Sequence, residues 1–268
     1  MEIKNIFFAA IILFLWNGCS SVPVTGRKQL SIVSSTEMNS LAVTSYKETL
    51  SSSKLSSNAE QTAMIKRVGE RISKAVEQYM AEKNMSSVIS DFQWEFNLID
   101  DPGTVNAWCM PGGKVAFYTG ILPICQNDAG IAVVMGHEIA HAVANHGGER
   151  MSQELVVQMG STALSTALQQ KPEQTQQLAL AAYGVGSQVL GILPYSRLHE
   201  SEADKMGLIF MAIAGYDPHE APKFWERMKS ASGGSGSPQF LSTHPSDSKR
   251  INDLNTAMTE AMKYYKPN

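Results

Sequence analysis

Hydrophobic and polar residues follow a helical period in the first third of the chain. Between residues 59 and 80, apolar side chains recur three or four positions apart, and lysine, arginine and glutamate fill the other positions. This spacing places the apolar side chains on one face of a helix. They are Met64, Ile65, Val68, Ile72, Ala75, Val76 and Tyr79. We therefore predict an amphipathic helix over residues 59–80, preceded by a helix over residues 35–49.

The period then changes to strict alternation. Aromatic or aliphatic residues alternate with polar ones over residues 92–98, which predicts a half-buried strand. Turn-forming residues at 101–103 and 111–113 flank short candidate strands over residues 106–108 and 114–119. We predict a small antiparallel sheet, whose edge could accept an extended peptide as a further strand. An ordinary hairpin without a binding role is the alternative.

An uninterrupted apolar run, residues 131–135, lies in the middle of the chain. Asp128 can cap the start of a helix here, and Gly147 and Gly148 can end it. We predict one buried helix over residues 128–148, which contains the pentapeptide HEIAH at residues 137–141.

The second half of the chain has a helical pattern. Residues 149–193, rich in alanine, leucine and glutamine, predict two helices with a break at Lys171 and Pro172. Further helices are predicted over residues 194–214, 222–229 and 247–264, with a Gly/Ser-rich loop over residues 230–238. The predicted fold class is therefore α+β and mainly helical, with the small sheet beside the HEIAH helix.

The N-terminus has the composition of an export signal. Lys4 is followed by an apolar run over residues 6–16 and then by Cys19. This run is too short to span a bilayer but suits a signal peptide, and lipoprotein processing requires a small residue before the cysteine. We predict a lipoprotein signal peptide and lipidation of Cys19, in the outer membrane facing the periplasm. Ordinary cleavage or an uncleaved anchor are the alternatives.

Length and charge suit one globular domain with a sizeable core. The chain has 268 residues and a net charge of -3, so no charge excess points to nucleic acid. We divide it into the signal peptide, residues 1–18, a lipid-anchored tether with the first helix, residues 19–50, and the main domain, residues 51–268. Residues 23–35 are predicted to form the tether itself.

Cys109 and Cys125 are the remaining cysteines. In an exported protein an even pair can form a disulfide, and these two flank a predicted strand and turn. Two buried thiols that never meet are the alternative, and the sequence leaves both open.

The HEIAH helix carries residues suited to metal chemistry. His137 and His141 lie one helical turn apart, so both imidazoles can bind one metal ion. Two imidazoles and a carboxylate hold zinc and leave a fourth position open for water. Glu138 could take a proton from that water and pass it to the leaving amine of a peptide bond. The alternative is a chance pentapeptide, which a buried, glycine-bounded helix disfavours.

A third ligand must come from elsewhere in the chain. His146 is out of register with the pattern in which a histidine follows the second HEIAH histidine by six positions. Glu200 and Asp204 are four apart and share a helix face, whereas Glu202 points roughly the opposite way. One of the first two could bind the metal while the other accepts the second N–H of a ligand histidine. A solvated face with an Arg197 ion pair is the alternative.

An ordered set of motifs extends over most of the chain after Cys19. It comprises PVTGR at 23–27, Asn106-Ala107, PGGK at 111–114, YTG at 118–120, HEIAH, SRLHESEAD at 196–204, and His244-Pro245 with Arg250. The set resembles the zinc metallopeptidases that include the CAAX prenyl protease, HtpX, the mitochondrial OMA protease and the bacterial lipoproteins BepA and LoiP. The chain is most similar to the short, LoiP-like members, because it has neither several long apolar segments nor a tetratricopeptide-like extension.

The resemblance implies a zincin fold of the minimal gluzincin, thermolysin-like type, with one Zn²⁺ per chain. It implies that His137, His141 and Glu200 bind the zinc and that Asp204 supports the site. Asn106 and Ala107 would lie on the edge strand that binds substrate.

The resemblance also implies roles for His244 and Arg250. In periplasmic members a histidine at the first position can close onto the zinc and displace the catalytic water, and His244 follows a Gly/Ser-rich segment that would permit movement. Arg250 could stabilise the oxyanion. The alternatives are a loop histidine and a surface charge.

The function that the resemblance implies is a zinc-dependent endopeptidase for misfolded or misassembled cell-envelope proteins. The expected partners are these polypeptides, the membrane through the N-terminal lipid, and the outer-membrane assembly machinery, without nucleic acid. A second hypothesis is a periplasmic chaperone or outer-membrane assembly factor that uses the same groove with little proteolysis. The presence of Glu138 favours hydrolysis, because binding alone needs no base.

Overall fold

A computed structural model describes residues 19–232, 238–245 and 248–267, so the predicted signal peptide, residues 1–18, lies outside the described part. The chain forms two compact units. The larger unit consists of Thr36–Ala144 and His199–Asn268, and the smaller unit of Met1–Ser35 and Asn145–Leu198. None of the described helices combines the length and apolar character needed to cross a membrane.

The described elements confirm the predicted α+β, mainly helical class. The strands are β1 (Cys19–Ser21), β2 (Lys28–Leu30), β3 (Glu95–Ile99), β4 (Ala107–Met110) and β5 (Lys114–Tyr118). The α-helices are α1 (Ser35–Ser52), α2 (Ala59–Glu82), α3 (Leu122–Cys125), α4 (Asp128–Val143), α5 (His146–Leu168), α6 (Glu173–Gly186), α7 (Leu193–Ile213), α8 (Glu220–Ala231), α9 (Gln239–Thr243) and α10 (Ser248–Ala261). Short 3-10 turns cover Ser86–Ile89 and Thr119–Ile121, and a π-helical segment, Ser187–Ile192, connects α6 directly to α7.

The amphipathic helix α2 forms as predicted. The side chain of Asn58 caps its first turn by accepting a hydrogen bond from the backbone N–H of Gln61. Its apolar face is buried against α4 and β3. Arg71, on the same helix, donates to the carbonyl oxygen of Ala214 and stacks over the ring of Tyr216, which fixes the end of α7.

The sheet of the larger unit is mixed rather than wholly antiparallel. Its strand order is β3-β5-β4. β4 and β5 pair antiparallel as predicted, whereas β3 and β5 run parallel. Alternation predicts which side chains of a strand are buried but not its neighbour or direction, so the orientation of β3 could not be read from it. The outer side of β3 is occupied by residues 54–56, which leaves β4 as the edge strand.

The HEIAH helix is buried as predicted but shorter than predicted. Asn127, not Asp128, caps its start by accepting from the backbone N–H of Gly130, and Asp128 instead pairs with Arg67. The helix ends at Val143 because Asn145 adopts a left-handed conformation with φ of 55°, which asparagine tolerates better than most residues. The predicted helix-ending residues Gly147 and Gly148 instead lie in the first turn of α5.

The smaller unit contains the N-terminal residues predicted as a tether. They form a hairpin, because β1 and β2 pair antiparallel. Arg27 makes a bidentate ion pair with the buried carboxylate of Glu149 at the start of α5. The hydroxyl of Ser152 accepts hydrogen bonds from the backbone N–H groups of Ile32 and Val33. These contacts hold the segment in a folded unit. Its role as a tether that leads the domain away from a membrane stays a prediction.

Candidate metal centre

The two HEIAH histidines meet on one face of α4. His137 and His141 lie one turn apart, and their Nε2 atoms are 3.1 Å from each other. The helix is buried at this point, since His137 is 2% exposed and Glu138 is 4% exposed. Both imidazoles therefore present a ring nitrogen to the same point in the interior of the larger unit.

α7 and the residue after α9 supply further donors. The carboxylate oxygens of Glu200 lie 3.3 Å from the Nε2 atoms of His137 and His141. Nδ1 of His244 lies 3.1 Å from Nε2 of His137 and 3.0 Å from each oxygen of Glu200. Within the described residues, these four side chains form a group that could hold a metal ion.

The spacing of the donor atoms fits a metal site. Ring nitrogens and carboxylate oxygens at these separations need a proton or a cation among them to offset their repulsion. In a tetrahedral site with bonds of about 2.0–2.1 Å, neighbouring ligand atoms are about 3.3 Å apart. The separations of 3.0 to 3.3 Å between the donors are close to that value. Three imidazoles and one carboxylate also match the usual donor types of a tetrahedral site.

Glu138 lies beside this group as an available base. Its Oε1 is buried and has no hydrogen-bond partner among the described residues. The ring of His244 is close to it, with Nε2 3.4 Å from that oxygen. Burial raises the pKa of Glu138, and His244 and His137 partly offset this. A buried carboxylate with a raised pKa and an unused oxygen is suited to accept a proton from a bound water.

Asp204 and Arg250 contact the donor group and hold its side chains in place. Oδ1 of Asp204 lies 3.0 Å from Nδ1 of His137, so an N–H on Nδ1 can donate to it and leave Nε2 free to bind a metal. Arg250 donates to both oxygens of Asp204, at 2.8 and 2.7 Å, and also contacts Glu200 and the carbonyl oxygen of Pro245. These contacts suit a positioning role for Arg250, while its oxyanion role stays a prediction.

The carboxylates of the centre are held in the ionised form. Burial opposes ionisation of Glu200, but His141 and His137 outweigh it and hold the pKa of Glu200 well below its usual range. Burial also opposes ionisation of Asp204, and Arg250 outweighs it, so the pKa of Asp204 is lowered. Burial lowers the pKa of His137, yet its hydrogen bonds to Asp204 and Glu200 outweigh that and raise the pKa to about 9. A metal ion would therefore replace a proton on binding.

A contact between two glycines brings α4 and α7 together at the centre. A Cβ added at Gly136 would lie 2.9 Å from the carbonyl oxygen of Gly207, and one added at Gly207 would lie 3.0 Å from the backbone nitrogen of His137. The helices can therefore approach this closely only without side chains at these two positions. The glycines precede His137 by one residue and follow Asp204 by three, but neither was recognised from the sequence.

We expect Gly207→Ala to displace α7 and loosen the metal centre. Overpacking of this kind costs about 1–3 kcal/mol, and here it would also move Glu200 and Asp204 relative to α4. Thermal unfolding and metal titration would show a lower melting temperature and metal affinity reduced about tenfold or more. The matched control is Gly184→Ala in α6, where an added Cβ meets no atom within 4 Å. Equal metal affinity for Gly207→Ala and wild type would show that the close approach of α4 and α7 at these glycines does not position the metal donors.

The predicted substrate edge lies next to the centre. Asn106 precedes β4, and its carbonyl oxygen accepts from the backbone N–H of Tyr118 on β5. Its side chain accepts from the backbone N–H of Ala107, the first residue of the strand. β4 packs against α4, so this edge runs alongside the helix that carries His137 and His141.

Other residues that the sequence analysis considered are not part of the described donor group. His146 is the first residue of α5 and, as expected, is not among the described metal donors, and neither is Glu202. Cys109 and Cys125 are free thiols, so the disulfide considered from the sequence is not formed. Cys125 is completely buried at the end of α3, and burial raises its pKa to about 12. Only the backbone of Cys19 lies within the described part.

Two aromatic residues at the centre were missed by sequence reasoning. The guanidinium carbon of Arg250 lies 3.5 Å from the ring centroid of Trp225, on α8. Phe240, on α9, stacks on the same indole at 5.7 Å between ring centroids. The sequence places Trp225 on the helix predicted over residues 222–229, where a buried aromatic side chain is typical of an ordinary core.

A comparison with protein-family models matches residues 65–258 to peptidase family M48. The chain belongs to peptidase family M48. The matched range includes all four metal donors and Glu138. M48 enzymes are metal-dependent peptidases, so the predicted family and the metalloendopeptidase class are confirmed at the level of the family.

Curated relatives of this M48 chain include proteins from eukaryotes and bacteria. The mitochondrial metalloendopeptidase OMA1 of Schizosaccharomyces pombe is 36% identical over 90% of this chain and 66% of its own length. Human metalloendopeptidase OMA1, mitochondrial, is 29% identical over 96% of this chain and 49% of its own length. The beta-barrel assembly-enhancing protease of Yersinia pestis is 28% identical over 63% of this chain and 35% of its own length. The chain thus spans about one third to two thirds of these relatives.

The comparison corrects the predicted location. A lipid-anchored position in a bacterial outer membrane, facing the periplasm, was expected from the N-terminus. Several relatives that match this M48 chain along most of its length are instead named as mitochondrial proteins, from yeast to cattle and human. The outer-membrane location is therefore contradicted, and lipidation of Cys19 is an untested prediction.

Proposed function

We propose that this chain is a zinc-dependent endopeptidase with one Zn²⁺ held by His137, His141 and Glu200. The observation that carries the proposal is the convergence of these donors beside a buried carboxylate, Glu138, whose Oε1 has no hydrogen-bond partner among the described residues. Zinc is the metal that best suits imidazole and carboxylate donors at tetrahedral spacing. When bound, zinc would lower the pKa of a bound water to about 7 and polarise a peptide carbonyl.

The residues of the chain have distinct tasks in this proposal. Glu138 accepts a proton from the attacking water and returns it to the nitrogen of the leaving amine. Asp204 fixes His137 in the tautomer with the proton on Nδ1, and Arg250 holds Asp204 and Glu200 in place. An extended substrate would pair with β4 at Asn106 and Ala107, because main-chain pairing accepts many sequences. In this scheme Asn106 and Ala107 bind the substrate. Arg250 also stabilises the oxyanion that forms when water attacks the peptide carbonyl.

The proposed substrates are unfolded segments of misfolded or misassembled proteins. Pairing with an edge strand requires an extended chain, which a folded substrate does not offer. The name of the Yersinia relative refers to β-barrel assembly, and β-barrel proteins occur in bacterial outer membranes and in mitochondria. Misassembled membrane proteins, the expected cell-envelope proteins among them, are therefore the substrate class that we propose.

Removal of the metal gives the test of this proposal. Chelation should abolish cleavage of a denatured protein, and one equivalent of Zn²⁺ per chain should restore it. Cleavage that survives complete removal of zinc would contradict the proposal. A zinc-loaded protein that binds the denatured protein without cutting it, even when His244 is replaced, would favour the chaperone hypothesis.

His244 is proposed to hold the site in a closed state. Catalytic zinc sites keep a position open for water, whereas sites with four protein ligands are typical of structural zinc. His244 would fill that fourth position, because its Nδ1 lies 3.0 Å from both oxygens of Glu200, while its Nε2 faces Glu138. Cleavage would then require His244 to leave the metal.

We expect His244→Ala to raise the rate of cleavage about tenfold or more, because it vacates the position that water needs. The measurement is kcat/KM for a denatured protein with zinc-saturated enzyme. Ser242→Ala, an exposed neighbour in α9, is the control and should behave as wild type. An inactive His244→Ala enzyme that still binds zinc would contradict the closed-state role and indicate that His244 takes part in catalysis.

A further inference from the structure

The closing segment, Pro238–Pro245, is bound to the residues just before the edge strand β4 as well as to the metal centre. The backbone N–H of Phe240 donates to the carbonyl oxygen of Val105 at 3.0 Å. Val105 lies two residues before β4, and the carbonyl of Asn106 between them accepts from Tyr118 on β5. Continuing the alternation of β4 back by two residues directs the carbonyl of Val105 to the open side of the strand. It is the type of acceptor that an added peptide strand would use.

The side chain of Phe240 fills an aromatic pocket beside the metal donors. It is completely buried. Its ring is tilted by 22° from the indole of Trp225, with 5.7 Å between centroids, and lies 6.5 Å from the ring of His137. His244, four residues further on, brings its ring within 4.6 Å of Phe240 and its Nδ1 to the donor group. One short segment thus pairs with the edge, buries an apolar side chain and places a polar atom at the metal position.

These three contacts are the ones that a bound substrate would make. We infer that Phe240 occupies the side-chain pocket for a substrate residue near the scissile bond, and that this pocket selects a large apolar, preferably aromatic, residue. The inference rests on the proposed function, because it names the substrate preference of that same site. Trp225 is the specificity-determining residue, since its indole forms the wall on which Phe240 stacks.

Alternative occupants of the pocket are disfavoured by its walls. Trp225 is 1% exposed and also contacts Phe224, His137 and the guanidinium of Arg250, whose charge is paired with Asp204. Among the described residues, an acidic side chain of a substrate would therefore meet an aromatic surface and an arginine whose charge is already paired. A small side chain would leave unfilled the volume that Phe240 now occupies, and would lose its dispersion contacts.

Peptide binding tests the pocket without depending on cleavage. A fluorescent peptide with the sequence of residues 238–245 is titrated into the zinc-loaded Phe240→Ala protein, whose own segment no longer fills the pocket. We expect the peptide with alanine in place of phenylalanine to bind about tenfold or more weakly, and the peptide with alanine in place of leucine at the next position to bind as the parent does. Equal affinities of the phenylalanine and alanine peptides would overturn the inference.

A cleavage map gives the second, separate readout. The His244→Ala enzyme is incubated with denatured proteins, and the cut sites are identified by mass spectrometry. We expect one position near the cut to be enriched in Phe, Tyr, Trp, Leu and Met about fivefold or more, and Trp225→Leu to reduce the aromatic share. Cleavage without any such preference would overturn the inference while leaving the proposed function intact. Peptide discrimination without any cleavage would support the pocket and count against the proposed function.

The Phe240→Ala protein could be too unstable for the titration, because a buried ring is removed. In that case the His244→Ala protein serves as the acceptor for the same peptides, since it keeps the pocket and lacks the contact of the segment with the metal centre. The expected ratio of affinities and the result that would overturn the inference are unchanged.

Discussion

We expect Glu138→Gln to remove most of the peptide cleavage and to leave zinc in place. Glutamine has nearly the shape of glutamate but cannot act as a base. The attacking water therefore keeps its proton, and no proton is passed to the leaving amine. Loss of a general base of this kind lowers kcat by about 10²- to 10⁴-fold. The zinc donors do not include Glu138, so the zinc content stays at one ion per chain. The measurement is kcat for a denatured protein, together with zinc content by elemental analysis.

Glu138→Gln is measured in two backgrounds, wild type and His244→Ala, because His244 is proposed to close the site. In wild type, a low rate could hide the effect of Glu138→Gln. In the His244→Ala background the starting rate is higher, and the full loss becomes measurable. Unchanged cleavage by the double variant would eliminate Glu138 as the base. Loss of zinc along with activity would instead show that Glu138 helps to hold the metal.

The second large effect is expected at Glu200. Glu200→Gln removes a negative charge between two imidazoles, which its oxygens approach within 3.3 Å, and leaves a weak neutral donor in its place. Mutation of a residue that hydrogen-bonds to a metal ligand typically lowers metal affinity 10- to 100-fold. Loss of a ligand itself should lower the affinity by more than that. We therefore expect zinc affinity to fall about 100-fold or more, and cleavage to fall with it. Competition with a chromophoric chelator measures the affinity.

The matched control is Glu202→Gln, on the same helix two residues away. Glu202 is buried but does not belong to the described donor group, so its replacement should leave zinc affinity within about threefold of wild type. Both variants remove one charge from α7, which separates ligand loss from a general effect on the helix. Zinc loss in Glu202→Gln but not in Glu200→Gln would reverse the assignment of the ligand.

Features that depend on local periodicity could be predicted from the sequence. The spacing of His137 and His141 places them on one helix face wherever that helix lies, and the same argument places Glu200 and Asp204 together. The amphipathic period of α2 identified its buried face correctly. The long separation between HEIAH and Glu200 was bridged by the resemblance rather than by any physical argument from the residues.

Features that depend on contacts between distant segments could not be predicted. The parallel pairing of β3 with β5 follows from the path of the chain and not from alternation within either strand. Nothing local marks Gly136 and Gly207 as the crossing point of two helices, because a glycine inside a helical pattern has many possible reasons. The role of Phe240 depends on a hydrogen bond to Val105, which is 135 positions away in the chain.

One error came from local signals that competed, and one question that the sequence left open was decided by the structure. The pair Gly147-Gly148 was taken as the end of the HEIAH helix, but Asn145 turns the chain first in a left-handed conformation. The pair Cys109 and Cys125 was considered for a disulfide because of an expected oxidising compartment, yet both are thiols in the structure. In each case the sequence offered a plausible residue type, and only the three-dimensional position decided between the alternatives.

Anomalous X-ray scattering at the zinc absorption edge, from crystals of the zinc-loaded full chain, tests the central claim most directly. The account predicts one anomalous peak per chain, at about 2.0–2.2 Å from Nε2 of His137, Nε2 of His141 and a carboxylate oxygen of Glu200. The absence of a peak between these atoms, or a peak bound by other residues in its place, would contradict it.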